Sequence, residues 1–373
     1  MAVAYTNVKF IMENPTVKVT SKAPPRTQAQ PLVIAIRFDH SKIIAALVNE
    51  NGRAVEEREI PTPQRTTRAA VVEITKIIVA LGVSQSRAGA PINAIGFSVA
   101  GLVDPATGRV SIPGLKGWTR VALRQMIEEE LKSAGVDVRV PPDERRARAR
   151  YGDSSFPAMV INSRAASMAA GEAWIGAARG KNNVVYLSIG EDIEAGIILD
   201  RRVAQGAGGM AGAAGWFALS ENFKQEFESR GCLTVEAASA ALKRRVIEGW
   251  EGDAKSVVGN LIKDDLADLD DAAIIRAARG GDALALNSVN ETCRWIGRGV
   301  ANLVTILNPD AIVIGGHLGL MLKPYLDQIR EEAFRWAMPA SARHCRIANA
   351  TLNDKAALIG AAKLAFERTA PPA

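Results

Sequence analysis

The chain has 373 residues and 46 Lys and Arg against 40 Asp and Glu, a net charge of +6, with 48% hydrophobic and 23% charged residues. That length holds two lobes or one large α/β unit. No apolar run is long enough to span a bilayer, and charges interleaved in sign give no argument for nucleic acid. Three cysteines, Cys232, Cys293 and Cys345, lie far apart without a C-x-x-C pair, which excludes a disulfide framework and a cysteine-rich zinc site and suits a reducing cytoplasm.

Residues 1–30 read as a tail or linker, rich in Pro, Thr, Lys, Gln and Ser from Asn14 onward. They lack an apolar stretch with a cleavage site and are about half the length of a helix-turn-helix domain, so neither export nor DNA binding is expected. Apolar runs at 32–36, 43–48 and 54–60, with Asn51-Gly52 between the last two, predict a β-meander. Val71, Ile74, Ile78 and Leu81 predict an amphipathic helix over 66–81, with Gly82 as its C-cap. A buried strand at 95–99 and a helix near 121–134 complete a first β-β-β-α-β-α unit. The polar stretch 141–157 includes the basic run 145–150, which reads either as a phosphate contact or as a solvated surface. The pattern then restarts. Strands at 184–189 and 195–199 flank a tight turn, helices fill most of 234–307 up to Asn308-Pro309, a strand covers 311–314, and a last helix spans 356–367. Two halves that each open on strand, tight turn, strand indicate a duplicated fold with the turns facing across a cleft.

With Val99-Ala100-Gly101-Leu102-Val103-Asp104, Gly171-Glu172-Ala173-Trp174, the glycines of 196–215 and Gly360-Ala361-Ala362 in order along 32–368, the chain resembles the ROK family of repressors, open reading frames and sugar kinases. The resemblance implies an α/β, duplicated actin-like (ribonuclease-H-like) fold: a small lobe over 31–160, completed by the helix at about 355–368, and a large lobe over 161–354. It also implies a homodimer or tetramer.

The family's chemistry is altered at each position that carries it. Its first phosphate turn, Asp-x-Gly-Gly-Thr-Lys, lets bare backbone approach ATP; here it reads Arg37-Phe38-Asp39-His40-Ser41-Lys42. The second, Gly-Thr-Gly-x-Gly-Ala-Gly, is Gly190-Glu191-Asp192-Ile193-Glu194-Ala195-Gly196. Carboxylates about 4–5 Å from a triphosphate repel it by several kcal/mol, although Glu191, Asp192 and Glu194 could instead hold a cation. The family base lies in Asn-Asp-Ala-Asn; the matching Asn162-Ser163-Arg164-Ala165 puts Ser163, without useful basicity, in its place. The sugar-binding Gly-Glu-x-Gly-His becomes Gly212-Ala213-Ala214-Gly215-Trp216, and of the zinc motif only Cys232 remains. Glu236 is the candidate stand-in for the family's sugar-binding glutamate, and Trp216 either stacks on a sugar or fills a core. His317, after Gly315-Gly316, is either a ligand contact or a helix cap, and His344-Cys345 read as surface. Arg37 is a candidate ion-pair partner of the 191–194 turn.

The expectation is an inactive sugar-kinase homologue with a regulatory, ligand-sensing or structural role. No cofactor or zinc is expected, and neither a membrane nor nucleic acid is an expected partner; a sugar-like ligand or a protein is. An active kinase with a relocated base would bring back Mg-ATP, and a ROK regulator would act through DNA.

Overall fold

The computed structural model describes residues 31–88, 92–134, 158–252, 255–264 and 266–369. The tail at 1–30 and the basic run at 145–150 lie outside the described residues.

Two five-stranded sheets share one topology. The first combines β1 (Leu32–Phe38), β2 (Lys42–Asn49), β3 (Ala54–Pro61), β4 (Ile92–Val99) and, after the short hairpin of β5 (Leu102–Asp104) and β6 (Arg109–Ser111), β7 (Ala158–Ser163), in the order β3-β2-β1-β4-β7. The second combines β8 (Val184–Ile189), β9 (Ile193–Leu199), β10 (Arg202–Val203), β11 (Ala311–Gly315) and β12 (Arg346–Asn349), in the order β10-β9-β8-β11-β12. In each sheet the opening strand pairs antiparallel with the next and parallel with a later one: β1 with β2 and β4, β8 with β9 and β11. This is the duplication that the repeated strand–turn–strand pattern predicts.

Period-two alternation assigns the faces of the first sheet. Ile34, Ile36, Phe38, Ile95, Phe97 and Val99 pack under α1 (Thr67–Ala88) and α2 (Leu123–Ser133), while Val33, Ala35 and Ala94 meet the last helix, Ala356–Thr369. On the second sheet, α3 (Arg164–Ile175) covers Val184, Tyr186 and Val313. The opposite face lies under a helical layer made of α4 (Phe227–Arg230), α5 (Cys232–Ala237), α6 (Ser239–Glu248), α7 (Val257–Asp264), α8 (Asp271–Arg279), α9 (Ala283–Leu307), α10 (His317–Met321), α11 (Leu326–Trp336) and α12 (Pro339–Ala342). Asp282 caps α9 by accepting the Ala285 N–H at 2.9 Å, and Asn308, left-handed at φ 44°, ends it before Pro309.

The Ala356–Thr369 helix, α13, lies on the first sheet and α3 on the second, and the two helices pack against each other as the joint between the lobes. Glycines bring these layers together. A Cβ on Gly96 of β4 would sit 2.0 Å from the Ala361 carbonyl oxygen, and one on Gly196 of β9 would sit 1.9 Å from that of Ala165.

Three local expectations change. Gly82 does not end α1, which runs on to Ala88; a helix-interior glycine costs only about 1 kcal/mol, and the buried Val71, Ile74, Ile78 and Leu81 anchor the helix to the sheet ahead of it. The first unit gains β7, a short strand whose apolar run of Ala158, Met159, Val160 and Ile161 follows directly on a polar stretch, and the β5–β6 hairpin. Cys345 is buried, while His344 beside it is exposed.

Candidate functional site

Arg37, Ser98 and Asn162 are in register across the carboxyl ends of β1, β4 and β7. By strand parity they continue the face that α13 covers further back, so they form a polar row where that helix begins. Ligands of open α/β sheets bind at this edge. Ser98 is fully buried and its Oγ has no partner among the described residues; Asp39 Oδ1, just beyond β1, is likewise buried and unpaired. Buried polar atoms are usually satisfied, so these two leave unused hydrogen-bonding capacity at this edge.

Arg37 fills the position of the family's leading carboxylate. Its Nε donates to Asp39 Oδ2 at 2.6 Å and its Nη1 to the Asp354 carbonyl at 3.0 Å. The expected bridge from Arg37 to the acidic turn is therefore absent: the carboxylate two residues away along the chain takes the guanidinium instead. The rest of the first turn is closed by local bonds. Thr62 Oγ1 donates to the Asp39 carbonyl at 2.7 Å, Gln64 Nε2 donates to the His40 carbonyl at 2.7 Å, and His40 Nε2 donates to the Pro113 carbonyl. Ser41 is exposed, and Lys42 reaches sideways to Glu59 on β3 at 3.2 Å. Below, Phe38 packs edge-on against the buried Trp118, with ring centroids 4.6 Å apart.

In the second turn Arg230 donates to the Glu191 carbonyl at 2.5 Å and to Asp192 Oδ1 at 3.1 Å, and Arg164 approaches Glu194 at 3.5 Å. Two of the three turn carboxylates thus already face a cation. His317 opens α10 beside this turn, its backbone N 3.9 Å from where a Gly190 Cβ would lie, and its side chain is exposed. Beneath it, burial pushes the Tyr186 hydroxyl up to about 12, against the opposing pull of the Gly316 N–H that it accepts at 3.3 Å. Tyr186 stays protonated and is no base.

Ser163 Oγ accepts the Ala166 N–H at 3.3 Å as the N-cap of α3. Ala213 is exposed and offers only a methyl group. Trp216 is 54% exposed, which overturns the core reading: the tight approach of Gly231 to its Cα holds its backbone at the surface. Glu236 is buried among cations, accepting from Lys224 at 2.5 Å with Arg244 at 3.4 Å and Arg245 at 3.5 Å. Its carboxylate is thus committed to three partners that lie within twelve residues of it in sequence, on either side.

Neither implied group fits these residues. Magnesium would meet the Arg37 guanidinium where a carboxylate ligand is needed, and the phosphates would meet the Asp39 and His40 side chains where bare backbone is needed. Zinc would find one thiol, Cys232, since Cys293 and Cys345 sit in the large-lobe core. Burial raises Cys293 to about 12 and Cys345 to about 11, so neither supplies a thiolate near neutrality. Among the described residues there is no group of three metal-ligating side chains, and no helix is long and apolar enough to cross a membrane.

Removing the cation from the first turn tests its architecture. Arg37→Ala strands the Asp39 carboxylate and is expected to cost about 3 kcal/mol in urea unfolding, with Arg37→Ala/Asp39→Ala recovering part of the loss. Equal losses in the single and double variants would show that the pair is not what holds the turn.

Two similar lobes, each a β-meander extended by parallel strands and joined through α3 and α13, define the actin-like class of sugar-kinase folds. The chain matches the sequence model of the ROK family over residues 33–147 and 155–368, and it belongs to that family. It is 29% identical to a glucokinase of Streptomyces coelicolor over 340 residues, covering 90% of this chain and 98% of the relative. It is also 28% identical to a xylose repressor of Caldicellulosiruptor bescii over 274 residues, 71% of this chain and 60% of the relative. The structure of a ROK family glucokinase from Streptomyces griseus in complex with glucose and AMPPNP superposes with a TM-score of 0.66 at 26% identity, covering 90% of this chain and 99% of that one. The chain is therefore related to sugar kinases and to repressors alike.

Ser98, Asp354, Arg164 and Arg230 join the site only in the folded chain. Ser98 alone left a signal, a polar residue at the inward parity of an otherwise apolar strand; the others enter through contacts distant in sequence.

Proposed function

We propose that the protein keeps the ROK sugar-kinase fold without phosphoryl transfer and acts as a regulatory, ligand-sensing or structural protein. A sugar-like molecule would be held at the Ser98–Asn162 edge of the cleft. The observation that carries this reading is Arg37, locked to Asp39 and the Asp354 carbonyl where a kinase needs a metal-binding carboxylate. Ser163, engaged as a helix cap and not basic, supports it from the sugar side. The same proposal places the protein in the cytoplasm as a homodimer. Support for the dimer comes from exposed Ile306, Trp336 and Met338, drawn together on the large lobe where the Met338 N–H donates to Thr305 Oγ1 at 3.1 Å.

Thermal unfolding and a coupled phosphorylation assay test the reading. Millimolar Mg·ATP is expected to leave the midpoint unchanged, whereas a nucleotide at one hundred times its Kd would add about 2.7 kcal/mol, a shift of several degrees. A hexose or pentose is expected to raise the midpoint without being phosphorylated. Metal-dependent sugar phosphorylation would overturn the proposal and restore an active kinase with Mg-ATP and a relocated base. A salt-sensitive gel shift with DNA would replace it by a regulator acting on DNA.

A further inference from the structure

A cavity of about 280 Å³ opens at the opposite ends of the elements that build the cleft. It lies between the C-terminal turns of α3 and α13, the loop that enters β8, and the β9–β10 hairpin. Arg179 and Lys181 come from the loop, Arg201 from the hairpin tip and Lys363 from α13; one carboxylate, Glu367, also lines the cavity and lies 3.4 Å from Lys363. Among the described residues the side chains of Arg179, Lys181 and Arg201 have no hydrogen-bond or ion-pair partner. The contrast with the cleft is sharp, since Arg37, Arg164 and Arg230 are all paired there.

These cations stand on a fixed frame. Asp310 Oδ2 accepts the N–H groups of Asn182 at 3.1 Å and Asn183 at 2.8 Å, which pins the loop. The Arg201 N–H donates to the Asn182 carbonyl at 2.9 Å and the Asp200 N–H to Asn183 Oδ1 at 2.9 Å, which pins the hairpin tip to the loop. Asp200 and Arg201 both adopt left-handed backbone, φ 48° and 64°, a conformation that non-glycine residues take at a cost. Trp174 forms an aromatic wall. Lys363 Nζ lies 5.7 Å from its ring centroid, and its indole edge approaches Gly52 in the β2–β3 turn of the other lobe.

We propose that this cavity is a second, regulatory site for a small phosphate dianion, free or as the monoester of a sugar. Two guanidinium groups and an ammonium, exposed at the cavity rim, are donors of the kind that pair with a tetrahedral dianion, and Trp174 adds apolar surface to the wall. The volume is small for a nucleotide. Because the lining joins α3 and α13 and touches the β2–β3 turn, a bound anion stiffens the lobe joint. The inference does not rest on the reading of the cleft.

Titration calorimetry with inorganic phosphate, glucose 6-phosphate and glucose, at constant ionic strength to hold screening fixed, tests it. One equivalent of phosphate or of the ester is expected to bind, and Arg179→Gln and Arg201→Gln are each expected to weaken binding by about tenfold or more. Arg343→Gln, an exposed cation outside the cavity, is expected to leave it unchanged. Tighter binding of glucose 6-phosphate identifies the ester as the ligand, and equal binding identifies free phosphate. Glucose binding that survives both arginine substitutions belongs to the cleft and leaves this site to be judged by the two anions. Absence of binding by both anions at about 10 mM, or binding that ignores both substitutions, overturns the proposal.

Discussion

Gly360→Ala is expected to lose about 3 kcal/mol or more of stability, read as a fall of several degrees in the thermal midpoint. An ideal Cβ at Gly360 would lie 1.6 Å from the Ser167 carbonyl oxygen and 2.9 Å from the Gly171 nitrogen, and one at Gly171 would lie 2.4 Å from the Ala356 carbonyl oxygen. The two helices of the lobe joint therefore cross backbone against backbone, and each also rests on a glycine of its own sheet, Gly96 or Gly196. A methyl group at the crossing cannot turn aside, because the atoms it meets are backbone and the layers behind them are already in contact. Gly280→Ala is the control: Gly280 has φ −80° at the end of α8, and its nearest contact would be 3.3 Å. That change is expected to stay within about 1 kcal/mol. Equal midpoints for both variants would mean that α3 and α13 do not pack this closely in solution.

The second large effect is at Glu172, fully buried in α3 beside that crossing. Its Oε1 accepts the N–H groups of Thr351 at 2.9 Å and Leu352 at 2.8 Å, and its Oε2 accepts the Ala177 N–H at 2.6 Å and the Thr351 hydroxyl at 3.1 Å. One carboxylate thus closes the end of α3 and holds the segment that leads into α13, 180 residues further along the chain. Glu172→Ala removes a fully buried carboxylate and leaves four donors without their acceptor, and is expected to cost about 3 kcal/mol. Glu172→Gln keeps one acceptor oxygen and turns an NH₂ group toward the other donors, so an intermediate loss is expected. Urea unfolding of both variants gives the order. A glutamine variant as unstable as the alanine one would mean that the lost charge, and not the geometry of acceptance, dominates.

Both residues belong to stretches whose family likeness is visible in sequence, yet their roles are not. Gly171-Glu172 reads as a helical segment with a glycine and an acid, a pattern that on an ordinary surface helix would mean little. Only the arrival of residues 351–360 turns the glycine into a contact point and the acid into a clamp. Trp216 and Glu236 show the same limit from the other side. A tryptophan in a glycine-rich segment reads as core, but the backbone crowding at Gly231 leaves it exposed; a glutamate near a lost sugar motif reads as a sugar contact, but Lys224, Arg244 and Arg245 take it first.

What the sequence by itself determined is set by short-range physics. The apolar alternation of β1 and β2, the Asn51-Gly52 turn, the stop at Asn308-Pro309 and the repeat of strand, turn and strand each depend on neighbours within a few residues, where backbone sterics and side-chain parity leave few choices. The loss of both glycine turns and of the aspartate that serves as general base, at the position of Ser163, was legible for the same reason, since those motifs need particular residue types at fixed spacing. The tertiary structure alone decided which charge meets which. The sequence offered Arg37 the 191–194 turn as partner; in the fold the near carboxylate of Asp39 took its Nε, and the segment just before α13 placed the Asp354 carbonyl against its Nη1. Arg179, Lys181 and Arg201 were scattered cations until Asp310 and the β9–β10 turn fixed them around one cavity. Electrostatic partners are chosen by distance in space, and for segments separated by tens to hundreds of residues that distance exists only once the sheets and their helices have packed.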